Sequence, residues 1–278
     1  PDVLSREQRD AVCWLRLDMQ SEEAIGNALE RSDPERVVHL AGIAFPPEAS
    51  AAPAKAFEIN ALGALHLLSR LSAKESRRVR VLVVGSAEQY GVHPAADYPI
   101  AETALQEPLN VYAASKAAQE LIALQIARSS GLHVICTRSF NHSGFGHGPQ
   151  YLFPAFVERA RVLPRRGGTM VMGNGAPIRD YLHVADVVAA YDCLLESGAP
   201  GEAYNVSSGQ GTAVRRIAER VLKRLGVDAE ISVDPALVRA SDPPMLIGDN
   251  SKLRAATGWA PRFSIDDIID DLIHAKTR

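Results

Sequence analysis

Residues 79–86 read Val-Arg-Val-Leu-Val-Val-Gly-Ser, an apolar run that closes on a small residue and a hydroxyl. Four aliphatic residues in succession at 81–84 leave no polar face, so the run suits a strand covered on both sides, as in a parallel sheet. Arg36 to Leu40 (RVVHL) exits in the same way into Ala41-Gly42, and His133 to Thr137 (HVICT) exits into Arg138-Ser139-Phe140-Asn141. Between these runs lie Ala51 to Leu71 and Val111 to Ser129, Ala/Leu-rich and long enough for crossover helices. This βαβ rhythm predicts an α/β fold built on a parallel sheet.

Beyond residue 150 the texture changes. Pro149, Pro154, Pro164 and Pro177 punctuate shorter elements, and Gly167-Gly168 and Gly173-Asn174-Gly175 read as turns. Val184 to Leu195, Ala213 to Leu225 and Ile265 to Ala275 read as helices, with Ala203 to Val206 strand-like between the first two. The expected division is a first domain over 1–150 and a smaller lobe over 151–278, some of whose segments return to the first domain. With 278 residues, one or two such units are the expected size.

Composition narrows the function. Thirty Lys plus Arg against 33 Asp plus Glu, with the basic residues scattered, argue against a nucleic-acid surface. Three widely spaced cysteines, Cys13, Cys136 and Cys193, suggest neither disulfides nor a zinc site, and no metal is expected. No apolar run reaches a membrane span and the opening residues are polar, so the cytoplasm is the expected compartment.

In open parallel sheets ligands bind beyond the carboxyl ends of the strands, which directs attention to the strand exits. Ser86 stands at one of them. Tyr112 and Lys116 (YAASK) are spaced i, i+4, on one face of the following helix. An ammonium fixed there is expected to depress the phenol pKa toward a useful acid–base range. His39 and His66 read as structural, and Trp14 and Trp259 as packing residues.

Together Ser86, Tyr112 and Lys116 resemble the catalytic triad of the short-chain dehydrogenase/reductases, and GSAEQYG at 85–91 resembles the strand-exit motif of their extended, nucleotide-sugar-modifying branch. The resemblance takes in HLAG at 39–42, EINALGALHLL at 58–68, RSFNHSG at 138–144, IRDYLHVADV at 178–187 and YNVSSGQG at 204–211. It implies a Rossmann-like doubly wound sheet with a smaller C-terminal substrate-binding lobe. The family's glycine-rich GxxGxxG loop is not found. SGFGHG at 143–148 precedes Pro149 and opens no helix, so the first βα unit is expected to be missing, before Pro1.

Within the branch, FNH at 140–142, LVRASDPPMLIGDNSKL at 237–253 and TGWAP at 257–261 look most like GDP-4-keto-6-deoxy-mannose reductases and the related GDP-mannose 4,6-dehydratases. That likeness implies NAD or NADP as cofactor, held by Asp18, Leu40, Ala41, Gly42, Asn60, Tyr112, Lys116 and His142. It implies a GDP-linked sugar contacted by Ser86, Glu88, Asn141, Arg179, Arg239 and Asp242, although Arg179 beside Asp180 also reads as a structural ion pair. Ser86, Tyr112, Lys116 and Glu88 form the expected catalytic set, and a homodimer the expected assembly. The reaction favoured is C4-ketone reduction to a GDP-6-deoxyhexose such as GDP-rhamnose. Its rivals are a 4,6-dehydratase, for which Glu88 would be the base, a 4-epimerase, and a nucleotide-sugar-binding protein without cofactor chemistry.

Overall fold

The computed structural model describes residues 5–73, 79–238 and 243–274. Two short helices, α1 (Arg6–Asp10) and α2 (Glu22–Ser32), precede strand β1 (Arg36–His39). Then come α3 (Pro46–Ala51), α4 (Pro53–Phe57), a π-helical turn (Glu58–Leu62) and α5 (Gly63–Ala73). Strand β2 (Arg80–Ser86) runs into a 3₁₀ turn (Ala87–Tyr90), and α6 (Val111–Ser130) leads to β3 (His133–Ser139) and β4 (Asn141–Ser143). The remainder is α7 (Leu152–Arg161), β5 (Arg166–Met172), β6 (Ile178–His183), α8 (Val184–Ser197), β7 (Glu202–Val206), β8 (Gly211–Ala213), α9 (Val214–Leu225), β9 (Asp228–Val233), β10 (Met245–Leu246), α10 (Ser251–Thr257) and α11 (Ile265–His274).

The three strands expected from the apolar runs, joined by β7, form one four-stranded parallel sheet in the order β1-β2-β3-β7. Alternation along each strand decides which helices cover it. Val81, Val83, Val134 and Cys136 face α2, α5 and α6 through Ile25, Leu29, Leu67, Leu68, Leu71 and Ile126. Leu82 and Ile135 point the other way, into Val187, Ala190 and Leu194 of α8 and Leu253 of α10. Helices on both faces of a parallel sheet make the fold Rossmann-like. Because the strands run parallel, His39, Ser86, Ser139 and Val206 close them along one edge.

A second sheet, β10-β6-β4 with β8 against β6, and a two-stranded β5-β9 sheet carry a separate core. There Phe153, Phe156 and Val157 of α7, Met170 and Met172 of β5, Ile217 and Val221 of α9, and Ile268 and Ile269 of α11 meet. The chain enters this region from the first sheet through one residue: β3 ends at Ser139, β4 begins at Asn141, and buried Phe140 between them donates its N–H to Val206 O (2.9 Å).

Three expectations give way. Ala51 to Leu71 is not one helix: Pro53, lacking an N–H, ends α3 and starts α4, and a π-helical turn precedes α5. Gly167-Gly168 is not a turn between elements but lies within β5, where both residues take positive φ and the register with β9 shifts, a bulge open to glycine at little cost. Trp14 stays 58% exposed, whereas Trp259 packs as expected, its indole N–H donating to Asp186 O (3.0 Å). Ala275 lies outside the described residues.

Candidate active site

Asn110 begins the site. It caps α6, its side-chain oxygen accepting from Ala113 N–H (2.8 Å), and its amide donates to Glu88 Oε2 (2.8 Å). This sets Tyr112 in the first turn of the helix, buried, with its phenol beside the Ser86 hydroxyl. Ser86 ends β2 and caps the 3₁₀ turn, its Oγ accepting from Glu88 N–H (3.2 Å). The strand exit and the helix start thus bring Ser86, Glu88 and Tyr112 together.

Lys116 follows one turn later. Its ammonium donates to Val84 O (2.8 Å) and Gln119 Oε1 (2.9 Å), which occupies two of its three protons. Burial lowers its pKa from the usual lysine value to about 8. The expected depression of the phenol is corrected by the structure: burial pushes Tyr112 well above the ordinary tyrosine value, opposed by the Ser86 hydrogen bond and reinforced by the nearby Glu88 charge. A lysine engaged with Val84 and Gln119 does not offset the loss of water around the phenol. Tyr112 therefore holds its proton firmly, which suits an acid and not a base.

At the end of β1, Leu40, Ala41 and Gly42 lie exposed. Buried Asn60, placed by the π-helical turn, grips the next residue at both polar atoms. It accepts from Ile43 N–H (2.7 Å) and donates to Ile43 O (3.1 Å), and its amide also donates to Ser115 Oγ (2.8 Å). A Cβ at position 42 would lie 2.7 Å from Asn60 Oδ1 and 3.6 Å from Lys116 Nζ, so only glycine keeps this strip close to the lysine. His39 beneath it is buried, with Nε2 unpartnered, and burial together with the Lys116 charge lowers its pKa to about 4. Asp18 is exposed, accepts from Gln20 N–H (3.0 Å), and borders a hollow of about 420 Å³ with Arg16, Leu17, Met19 and Ile59.

Asn141 and His142 sit on β4, opposite Tyr181 and Leu182 of β6, and the His142 ring turns back toward Phe140 O (2.9 Å). Arg179 on β6 is buried and donates to Ile178 O (2.9 Å) and Pro243 O (2.5 Å). Asp180 takes hydrogen bonds from Ser208 N–H (2.8 Å), Ser208 Oγ (2.6 Å), Gly209 N–H (2.9 Å) and Gly248 N–H (3.4 Å), which joins two loops to β6. That set of partners replaces the Arg179–Asp180 ion pair that adjacency suggested. Arg239 and Asp242 lie outside the described residues.

Sequence reasoning passed over Asn110, Gln89 and the aromatic cluster of Phe45, His147 and Tyr151. Phe45 meets Tyr151 edge-on (5.8 Å between centroids), and His147 stacks on Tyr151 (4.0 Å). Asn110 just before an Ala-rich run is an N-cap signal, and Ser86 followed three residues later by Gln89 is a capping box. The aromatics carry no comparable signal, because two loops far apart in the sequence, before α3 and between β4 and α7, deliver them.

The family model for GDP-mannose 4,6-dehydratase matches residues 2–272. The GDP-6-deoxy-D-mannose reductase of Pseudomonas aeruginosa is 34% identical over 90% of this chain and 82% of its own length. A UDP-glucose 4-epimerase of Streptococcus mutans is 31% identical over 86% of this chain and 74% of its own. Among solved structures, that of RMD from Pseudomonas aeruginosa complexed with NADPH superposes with a TM-score of 0.85 at 33% identity, covering 93% of this chain and 86% of the other. On these matches and on the fold that carries Ser86, Tyr112 and Lys116, the chain belongs to the GDP-mannose 4,6-dehydratase family.

Proposed function

We propose that the protein reduces the C4 ketone of a GDP-4-keto-6-deoxyhexose to a GDP-6-deoxyhexose such as GDP-rhamnose, with NADH or NADPH as reductant. The observation that carries this reading is the placement of the Ser86 hydroxyl beside the buried Tyr112 phenol at the carboxyl edge of the sheet, one helical turn from Lys116. The reductase and the NADPH complex among its relatives support it. The residues present fit a nicotinamide nucleotide. The exposed 40–42 strip, kept narrow by Gly42, runs beside the one Lys116 proton not engaged by Val84 or Gln119, and Asp18 stands at a hollow near Ile59.

When bound, the reduced nicotinamide supplies the hydride for C4. As the carbonyl π bond breaks, its electron pair moves to oxygen. Tyr112 delivers its phenolic proton there, Ser86 orients that oxygen, and solvent restores the proton afterwards. Lys116 holds ribose hydroxyls, and its charge eases the transient phenolate. Asn60 acts one step back, holding the Gly42 strip through Ile43. Asn141, Arg179, Arg239 and Asp242 are assigned to the diphosphate and sugar, a guanidinium suiting phosphate oxygens.

The division of labour follows the chain, with residues 1–150 serving the cofactor and 151–278 mainly the nucleotide sugar, while β7 returns to the first sheet. The working form is a homodimer. Among the described residues no helix is long and apolar enough to cross a membrane. The dehydratase reading has one observation of its own, the Glu88 carboxylate close enough to Tyr112 to raise its pKa.

The test is stoichiometric. Incubated with GDP-4-keto-6-deoxymannose, the protein should oxidise one NADH or NADPH per ketone lost. Conversion of GDP-mannose to the keto sugar without added reductant, abolished by Glu88→Gln, would replace the reductase with a dehydratase.

A further inference from the structure

Behind Ser86 lies a chain of buried polar groups that takes no part in the proton and hydride transfers. Ser86 N–H donates to Gln89 Oε1 (2.8 Å), and the other end of that amide donates to Glu120 Oε2 (3.0 Å) and Gln106 Oε1 (3.3 Å). Glu120 is held by Arg138 through Nε (3.0 Å) and a terminal nitrogen (2.6 Å), and it also accepts from Gln106 Nε2 (2.6 Å). The second terminal nitrogen of Arg138 donates to the Tyr90 hydroxyl (3.0 Å) and Glu102 O (2.9 Å). Gln89, Glu120 and Arg138 are all buried.

Such a network is a poor source of stability. Well-packed apolar side chains of similar volume often do as well or better, since they avoid desolvating charges. What it does supply is direction. An amide presents an acceptor at one end and donors at the other, and a carboxylate attracts only the donor end. Glu120, itself held in place by the Arg138 fork, therefore decides which end of Gln89 faces Ser86. The connection spans three elements, from α6 and β3 to the exit of β2.

We propose that Gln89 is a positioning residue of the reaction: oriented by the Glu120–Arg138 ion pair, its amide fixes the Ser86 backbone and so the direction in which the Ser86 hydroxyl meets Tyr112 and the substrate oxygen. The inference rests on the reading of Ser86 as the group that orients that oxygen.

The experiment exchanges the two partners. Gln89→Glu sets two carboxylates against each other, and Glu120→Gln leaves the Arg138 fork with half its acceptor and the 89 amide free to turn. The double exchange keeps the charge of the network and lets the amide at 120 donate to the carboxylate at 89, which still accepts from Ser86, while Arg138 keeps one of its two acceptor oxygens, so the rescue is partial. With GDP-4-keto-6-deoxymannose and NADPH, each single variant should lose about 10²-fold in kcat with KM nearly unchanged, as expected for a misplaced catalytic group, and the double should regain at least about tenfold. If a single variant does not fold, the double decides alone, a loss below about thirtyfold supporting the proposal and a larger one overturning it. A folded single variant that keeps more than about a third of wild-type kcat while Ser86→Ala is slow, or a double no faster than the slower single, overturns it. Wild-type turnover in Ser86→Ala would overturn the role of Ser86 and this inference with it.

Discussion

In the proposed reaction Tyr112 gives up a proton from a place that favours keeping it, so the step depends on this one group. Tyr112→Phe removes that proton and little else; turnover should fall by about 10²–10⁴-fold with nucleotide-sugar binding nearly intact. Glu88→Gln should slow ketone reduction less, because the amide keeps its shape and reduction needs no base at that position; equal losses in the two variants would contradict the assignment. His39 offers a test by pH. Burial and the Lys116 charge lower its pKa from 6.5 to about 4, so between those values the unfolded chain binds a proton that the folded one refuses. Stability should therefore fall as pH drops from about 6.5 toward 4, by about 3 kcal/mol from this residue alone. Denaturation midpoints for wild type and His39→Asn across that range check it, and parallel slopes would contradict it. At this scale the placement of Ser86 at a strand exit and of Tyr112 and Lys116 one turn apart on a helix was legible, because a strand exit and an i, i+4 spacing are local patterns. The direction of the phenol shift was not, since it depends on which carbonyl and amide Lys116 reaches, Val84 and Gln119, and on burial that only the assembled fold creates.

At the scale of elements, α6 does most to assemble the site, and its start depends on Asn110. Asn110→Ala removes an N-cap and should cost about 1 kcal/mol of stability. It also removes the amide that holds Glu88 Oε2, so kcat should fall along with the melting temperature. Asn110→Ser, whose hydroxyl can still cap but which lacks the amide that holds Glu88, separates the two effects: stability should recover and activity should not. Recovery of both would show that capping is the whole role. The strands β1, β2 and β3 stood out in the sequence because continuous Val/Ile/Leu runs have one good use in a domain of this size. Pro53 was legible too, as a residue that ends a helix, but the reading of Ala51 to Leu71 as one proline-free helical stretch passed over it. The glycine pair at 167–168 looked the same as a turn because positive φ serves a turn and a bulge alike.

For the whole molecule, assembly is the open test. Leu121 on α6 is 67% exposed and Leu62 beside α5 is 44% exposed, and we propose these two helices as the ones that pair with their counterparts in a second subunit. Light scattering of the purified protein at micromolar concentration should give the mass of a dimer, and Leu121→Glu should shift it toward monomer; a monomeric wild type would contradict the pairing. The return of β7 to the first sheet was only partly readable. AYNV announces a strand, but its parallel pairing with β3 is a contact between distant parts of the chain that local pattern does not specify. The crossing at Phe140 bears on how the enzyme can move. One buried residue joins a strand of the first sheet to a strand of the second, with its N–H tied to Val206 of β7, so a rotation of one sheet against the other at this crossing falls on a single backbone residue and costs that hydrogen bond. A closure over substrate that keeps this bond leaves the two sheets in place and falls to the loops and side chains beyond the strand ends.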